Sequence, residues 1–223
     1  MKTAIVIGAT GLVGRELIRL LLDDNRFNKI LVFSRRSLQI KNAKLGEYII
    51  DFDKPDTWQH LVKGDVLFSA LGTTLQQAGG KQAQYKIDYT YQYGFADAAA
   101  RNGVPVYVLV SSASADPKSG LFYTRMKGEL ERDIRQLSFL SINIIQPGLL
   151  AGKRQEERLG EKLANILLSA FNAIGLFKKY CPIEGKIVAQ AMVNACNAAV
   201  KGVHVYALED VFMLSGMADN NKS

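Results

Sequence analysis

The sequence predicts an α/β protein whose β-sheet is parallel and covered by helices on both faces. Three observations carry that prediction. Short runs rich in Val, Ile and Phe recur along the chain and are apolar almost throughout. A strand buried on both faces reads this way, whereas a strand with one wet face alternates apolar and polar residues. Amphipathic helical patterns separate these runs, which is the βαβ arrangement that a parallel sheet needs. Finally, the first run empties into the turn GATGLVG, which opens a helical pattern.

Six strand-like runs come in order: TAIVIG (3–8), KILVFSR (29–35), GEYIIDF (46–52), DVLFSAL (65–71), VYVLVSS (106–112) and SINIIQPG (141–148). The helical patterns between them are GRELIRLLLDD, PDTWQHLVK, a long segment from about 82 to 102, and YTRMKGELERDIRQL. After Pro147-Gly148 the character changes. A helical pattern over about 155–177 leads through a loop at Cys181-Pro182 to a helix over about 185–200 and a late strand, HVYALE. The stretch from about 149 to 223 is too short for an independent domain. The chain 1–223 therefore reads as one domain whose last part is a small helical lobe beside the substrate site.

The turn GATGLVG spaces Gly8, Gly11 and Gly14 three apart between a strand and a helix, the context in which a glycine pattern binds a dinucleotide. Gly8 permits a tight turn, Gly11 lets backbone approach a pyrophosphate, and Gly14 lets helix and strand pack closely. The backbone of Ala9, Thr10, Leu12 and Val13 completes a cradle in which the phosphates meet the positive helix N-terminus. Without a ligand, the same turn is a plain βα connection.

Other strand ends add to the site. The second ends FSRRS, where a cofactor with a free ribose 2′-hydroxyl calls for a carboxylate and a 2′-phosphate calls for an Arg. The sequence offers Arg35 and Arg36 and no acid, so NADPH is expected over NADH, with Arg35 the main contact and Arg36 the next. A solvated Arg pair is the plainer alternative. Asp51 could accept from an adenine amino group, while Asp53 or Asp56 could cap the helix that follows. The fourth strand ends in SALGTT, a run of mostly small residues, so that Ala70, Leu71, Gly72 and Thr73 could let backbone pass beside a cofactor ribose.

A fourth constellation joins Ser111 and Ser112, which end the fifth strand, to Tyr123 and Lys127, four apart on a helix and so on one face. A phenol is a poor base at neutral pH, and a nearby ammonium favours its phenolate. The lysine can also hold the nicotinamide ribose, and a serine hydroxyl can orient a carbonyl. Hydride transfer to a carbonyl needs such a proton donor. Taken singly, the serines are a polar strand end and the Tyr–Lys pair is a helix-surface pair.

Composition sets bounds. A net charge of +7 and a pI near 9.3 invite nucleic acid, yet the 28 basic residues are scattered instead of lining one element. An anionic cofactor accounts for the charge equally well, and no nucleic-acid partner is expected. Two cysteines, Cys181 and Cys196, without a CxxC pattern give only a weak metal or disulfide signal and suggest a reducing, cytoplasmic setting. The opening apolar run stops at Gly8 and reads as a strand, not a leader. The apolar stretch LANILLSAFNAIGLF (163–177) is broken by Asn165, Ser169 and Asn172. It reads as a pocket wall or a homodimer face and not as stable membrane insertion.

GATGLVG, the Arg after strand two, Ser111-Ser112, YTRMK and the Pro-Gly of IIQPG occur in the order used by the short-chain dehydrogenase/reductases, and the sequence resembles the atypical NADP-binding branch of that family. DFDKPD, ALGTT, QPGLLAGKRQEERLGEKL and KIVAQAMVNA extend the resemblance over essentially the whole chain. It implies a Rossmann-like fold, NADP(H) binding and reductase activity on a small molecule. By the same resemblance Ser112 is the catalytic serine with Ser111 close behind, Tyr123 is the acid/base, and Lys127 tunes it and binds ribose. Gln146, Pro147 and Gly148 bring backbone toward the nicotinamide amide. The chain departs from the family in one respect: many members carry an Asn in the helix after strand four, and here Asp88 stands near that position, which alters the proton relay. A branch of the family binds the dinucleotide without turnover, so a sensor or scaffold is the alternative function.

Overall fold

The computed structural model describes residues 1–151, 183–198 and 200–216. Seven parallel strands form one sheet in the spatial order β3-β2-β1-β4-β5-β6-β9. They are β1 (Lys2–Ile7), β2 (Phe27–Ser34), β3 (Leu45–Ile49), β4 (Val66–Ser69), β5 (Val106–Val110), β6 (Ser141–Gln146) and β9 (Gly202–Ala207). β7 (Leu150–Ala151) and β8 (Ile183–Glu184) make a separate two-stranded pair.

The period of two along each strand explains why both faces are covered. Ala4 and Val6 of β1, Ile30 and Val32 of β2, and Val66 and Phe68 of β4 face a core shared with α1 (Leu12–Asp23). Their neighbours Ile5, Ile7, Leu31, Phe33 and Leu67 face a second core with Phe95, Leu130 and Ile134. All eleven strand residues are at most 6% exposed. At about 1.5–3 kcal/mol for each fully buried aliphatic or Phe side chain, the two faces together hold the sheet between its helix layers.

The strand order reverses between β1 and β4, and their carboxyl ends align through Ile7 beside Phe33 on one side and Ser69 on the other. Loops 8–11, 35–38, 70–74 and 111–114 therefore open on one edge of the sheet, on either side of the switch point. A crevice outside the carboxyl ends is where an open α/β sheet binds its ligand.

Three sequence expectations differ from the structure. PDTWQHLVK does not form one helix: it makes two short 3₁₀ turns, Pro55–Thr57 and Gln59–Leu61, on either side of Trp58. Trp58 stacks on Phe95 with ring centroids 4.8 Å apart and donates its indole N–H to the Asp51 carbonyl at 3.0 Å, so anchoring the indole outweighs helix continuation. The segment after β4 is also interrupted. It consists of α2 (Leu75–Ala78), α3 (Lys81–Tyr85), a π-helical segment Lys86–Tyr91, and α4 (Gln92–Arg101). The wider π turn brings Asp88 into the protein interior. Finally, the late part of the expected C-terminal lobe is built into the main body. β9 pairs with β6 along its length, and α6 (Gly185–Asn197) contributes Val188, Ala189 and Met192 to the core beneath α1. A short α7 (Glu209–Ser215) follows β9. The expected helix at 155–177, the apolar stretch 163–177 and Cys181 lie outside the described residues, among which no helix is long and apolar enough to cross a membrane.

Candidate dinucleotide and proton-transfer site

The glycine turn leaves room for nothing larger. Gly8 has φ +82°, and a Cβ there would run into the backbone of Ala70 and Leu71, so the first turn and the loop after β4 are packed backbone to backbone. The Ala70 N–H donates to the Ile7 carbonyl at 3.0 Å and holds the two loops together. A Cβ on Gly14 would strike the Gly8 carbonyl, which forces the start of α1 down onto the turn. α1 begins after Gly11 with no side-chain cap and no acid in its first turn, so its N-terminal N–H groups are open to an anion. Chain, cradle and helix end together suit a pyrophosphate.

A cavity of about 380 Å³ lies beside this turn, walled by Ala9, Thr10, Arg15, Arg36, Ser37 and Leu38 among others. The Ser34 hydroxyl donates to the Arg36 carbonyl at 2.7 Å, and Glu47 accepts the Leu38 N–H at 2.9 Å. These two bonds shape the turn that carries Arg36 to the cavity wall. Of the two arginines expected at this end of β2, the structure places Arg36 on the cavity and leaves Arg35 exposed outside its lining. Arg15 reaches the same space and was missed in the sequence, although its position directly after Gly14 was a usable signal. Asp51 is exposed and its carboxylate accepts the Asp53 N–H at 3.0 Å. Neither Asp53 nor Asp56 caps a helix through its side chain. Asp53 instead holds Lys86 and the Tyr91 hydroxyl, which keep its carboxyl below the usual range.

Across the switch point, α5 (Phe122–Ile134) presents Tyr123, Lys127 and Glu131 at successive turns of one face. Tyr123 is 41% exposed, while Lys127 and Glu131 are buried. The Lys127 ammonium lies 3.5 Å from Asp88, which is 1% exposed. The other Asp88 oxygen accepts the Thr73 N–H at 2.9 Å, and Gln84 donates to the Thr73 carbonyl at 3.1 Å. The Asp88 carbonyl accepts from Gln92, whose own oxygen accepts from the Ser69 hydroxyl at 2.6 Å. The loop Ala70–Thr73 is thereby tied to the π-helical segment and to α5. Burial, the largest influence, pushes the Asp88 carboxyl upward, and Lys127 and the Thr73 N–H draw it back.

The serines divide. Ser111 continues the ladder, its N–H donating to Ile145 at 2.8 Å, and its buried hydroxyl has no hydrogen-bond partner among the described residues. Ser112 is half-buried, and its hydroxyl pairs with that of Ser114 at 3.2 Å. The Ala113 N–H donates to the Pro147 carbonyl at 3.1 Å, which joins the serine loop to Pro147-Gly148. Glu131 holds the Gln146 amide with both oxygens, at 2.9 and 3.0 Å, an anchor that the sequence did not announce. No hydrogen bond links the Tyr123 hydroxyl to either serine among the described residues. What the fold brings to one edge is the glycine turn, the Ala70–Thr73 loop, the serine loop and the Tyr–Lys face.

Residues 8–166 match the family model described as NAD(P)H-binding. The chain belongs to that NAD(P)H-binding family. Among curated proteins it is 34% identical to a protein of Emericella nidulans named Protein fmp52, mitochondrial, over 97% of this chain and 96% of the relative. Among solved structures it resembles MoeE5 in complex with UDP-glucose and NAD, with a TM-score of 0.69 at 15% identity over 96% of this chain and 81% of that one. It also resembles a short-chain dehydrogenase/reductase superfamily protein from Agrobacterium tumefaciens with bound NAD, with a TM-score of 0.67 at 13% identity over 92% and 77%. The expected Rossmann-like fold and nicotinamide cofactor stand. The cradle that a Cβ would fill, the uncapped helix end and the orphaned Ser111 hydroxyl all fit that cofactor.

One expectation is overturned. A cytoplasmic location was expected, but curated relatives 32–38% identical to this chain are named as mitochondrial proteins. Two cysteines without a CxxC pattern suit any reducing compartment, so they could not single out the cytoplasm.

Proposed function

We propose that the protein is an NADPH-dependent oxidoreductase that reduces a small carbonyl or quinone-like substrate, with Tyr123 as the proton donor. The observation that carries this reading is the α5 face, which sets an exposed Tyr123 one turn ahead of a buried Lys127 at the cofactor edge of the sheet. When bound, the cofactor would supply the hydride, and with it both electrons, for the carbonyl carbon. The Tyr123 hydroxyl gives its proton to the carbonyl oxygen, the product leaves as the alcohol, and solvent returns a proton to the phenolate. Ser112 or Ser111 orients the substrate oxygen. Lys127 holds the ribose side of the site, and the backbone at Pro147 and Gly148 borders the nicotinamide. The resemblance of the DFDKPD, ALGTT and KIVAQAMVNA segments to the human Tat-interacting oxidoreductase and its bacterial relatives belongs to the same reading.

The preference for NADPH rests on Arg36 and Arg15, two guanidinium groups on the cavity beside Thr10 with no carboxylate lining it. Exchange of Tyr123 for Phe is expected to abolish carbonyl-dependent NADPH oxidation and to leave NADPH affinity nearly intact. Unchanged turnover in Y123F would remove Tyr123 from the chemistry.

A non-catalytic NADP(H) sensor or scaffold is the second reading, favoured by the commitment of Lys127 to Asp88. A panel of carbonyls and quinones separates the two: substrate-dependent NADPH oxidation by the pure protein rejects the sensor, and none across the panel rejects the reductase.

A further inference from the structure

Glu131 stands one turn beyond Lys127 on the α5 face and is only 6% exposed. We propose that Glu131 is a positioning residue: acting through Gln146, it holds the Pro147-Gly148 backbone in the place where the nicotinamide half of the cofactor rests. This deepens the reading above and rests on it for the side of the site that the nicotinamide takes.

A carboxylate buried to this degree is costly unless donors answer it. Both Glu131 oxygens accept from the Gln146 amide nitrogen, at 2.9 and 3.0 Å, and the Arg135 guanidinium stands 3.7 Å away. Hydrogen bonds to an ionised acceptor are the stronger kind. The Gln146 amide therefore cannot turn away without leaving a buried charge short of a donor, and this holds its side chain in one orientation. Gln146 is also the last residue of β6, and its carbonyl accepts the Leu208 N–H at 3.0 Å. Side chain and main chain together fix the residue from which the loop departs.

That anchor matters because a proline comes next. Pro147 has no N–H with which to extend the ladder. Its carbonyl accepts the Ala113 N–H at 3.1 Å, which ties the loop to the end of β5, and Glu131 supplies the tie to α5 through Gln146. A dinucleotide lies across the crevice at the switch point, with its phosphates at the glycine turn. One half reaches toward Arg36 beyond β2, so the other half runs over the ends of β4, β5 and β6. Pro147-Gly148 is the backbone at the far end of that path, and its placement depends on the residue that Glu131 grips.

The test reads binding and needs no turnover. Dissociation constants are measured for NADPH and for adenosine 2′,5′-bisphosphate, which carries the adenosine end of NADPH and lacks the nicotinamide end. The proteins are wild type, E131A, E131Q, Q146A and E131A/Q146A. E131A and Q146A are each expected to weaken NADPH by about tenfold and the bisphosphate by less than about twofold. Two residues that act through one bond do not add, so the double variant should match the single ones. E131Q keeps an acceptor for the Gln146 amide and is expected to stay within about threefold of wild type. Equal losses for both ligands, unchanged NADPH affinity in E131A and Q146A, losses that add in the double variant, or an E131Q as weak as E131A each overturn the proposal. A purely structural role would lower the Tm of E131A and leave the ratio of the two affinities as in wild type. Q146A, at a half-buried strand end, carries the measurement should E131A fail to fold, as judged by circular dichroism. A wild type that binds neither ligand rejects the cofactor reading itself, whereas a wild type that binds both, with variants that behave alike, rejects only the role of Glu131.

Discussion

At the scale of single residues, the arginines show how a short motif names two candidates and leaves their placement to the fold. FSRRS announces guanidinium groups after β2, and the structure offers Arg36, not Arg35, to the cavity by the glycine turn. The difference is made by the Ser34 hydroxyl, which closes the turn on the Arg36 carbonyl. A charge-assisted hydrogen bond of about 1.5–3 kcal/mol corresponds to about a tenfold to hundredfold change in affinity. Exchange of Arg36 for Ala is therefore expected to weaken NADPH by at least about tenfold and NADH far less, with R35A close to wild type. Isothermal titration with both cofactors checks this, and equal losses for NADPH and NADH would mean that the 2′-phosphate is read elsewhere. The glycines were more legible than the arginines. Their spacing between a strand and a helix is a local signal, as is the Gly8 carbonyl that crowds Gly14, whereas the backbone that crowds Gly8 comes from the distant Ala70 and Leu71.

At the scale of elements, α5 is the one on which the site depends. Its face carries Tyr123, Lys127 and Glu131, and its back is pressed on the loop that precedes it. The Asp116 N–H donates to the Thr124 carbonyl at 3.1 Å, and a Cβ on Gly128 would collide with the backbone at Asp116 and Pro117. Replacing a helical Gly with Ala gains about 1 kcal/mol in helix propensity, while overpacking costs about 1–3 kcal/mol. The collision is with backbone and not with a flexible side-chain tip, so the cost should prevail. G128A is expected to lower stability by about 1 kcal/mol in urea melts. A more stable G128A would show that the loop gives way. The periodicity of YTRMKGELERDIRQL disclosed this helix and the face that carries Tyr123 and Lys127. It could not disclose the partners of Lys127 and Glu131, because Asp88 and Gln146 are distant in sequence and meet α5 only through packing. The π turn at Lys86–Tyr91 was equally hidden, since a helical pattern does not reveal one extra residue per turn.

At the scale of the molecule, the site is a property of strand order. The glycine turn, the Ala70–Thr73 loop and the serine loop share an edge because β4 and β5 lie on the far side of β1 from β2. Binding a dinucleotide across that edge should stabilise the whole body. At a cofactor concentration one hundred times the Kd the gain is about 2.7 kcal/mol, or about 5–10 °C in Tm for a chain of this size. Thermal melts with NADPH and NADH are expected to rise by that order, NADPH more than NADH at equal concentration. The absence of any shift with either cofactor would contradict a formed cradle.

The sequence by itself determined the two-faced strands, the glycine turn and the α5 face, because each follows from the spacing of neighbouring residues and from local steric limits. Only the tertiary structure decided that β9 completes the sheet, that Arg36 faces the cavity, and that a buried carboxylate faces Lys127. Those facts depend on which distant segments share a low-dielectric interior, and no local spacing encodes that.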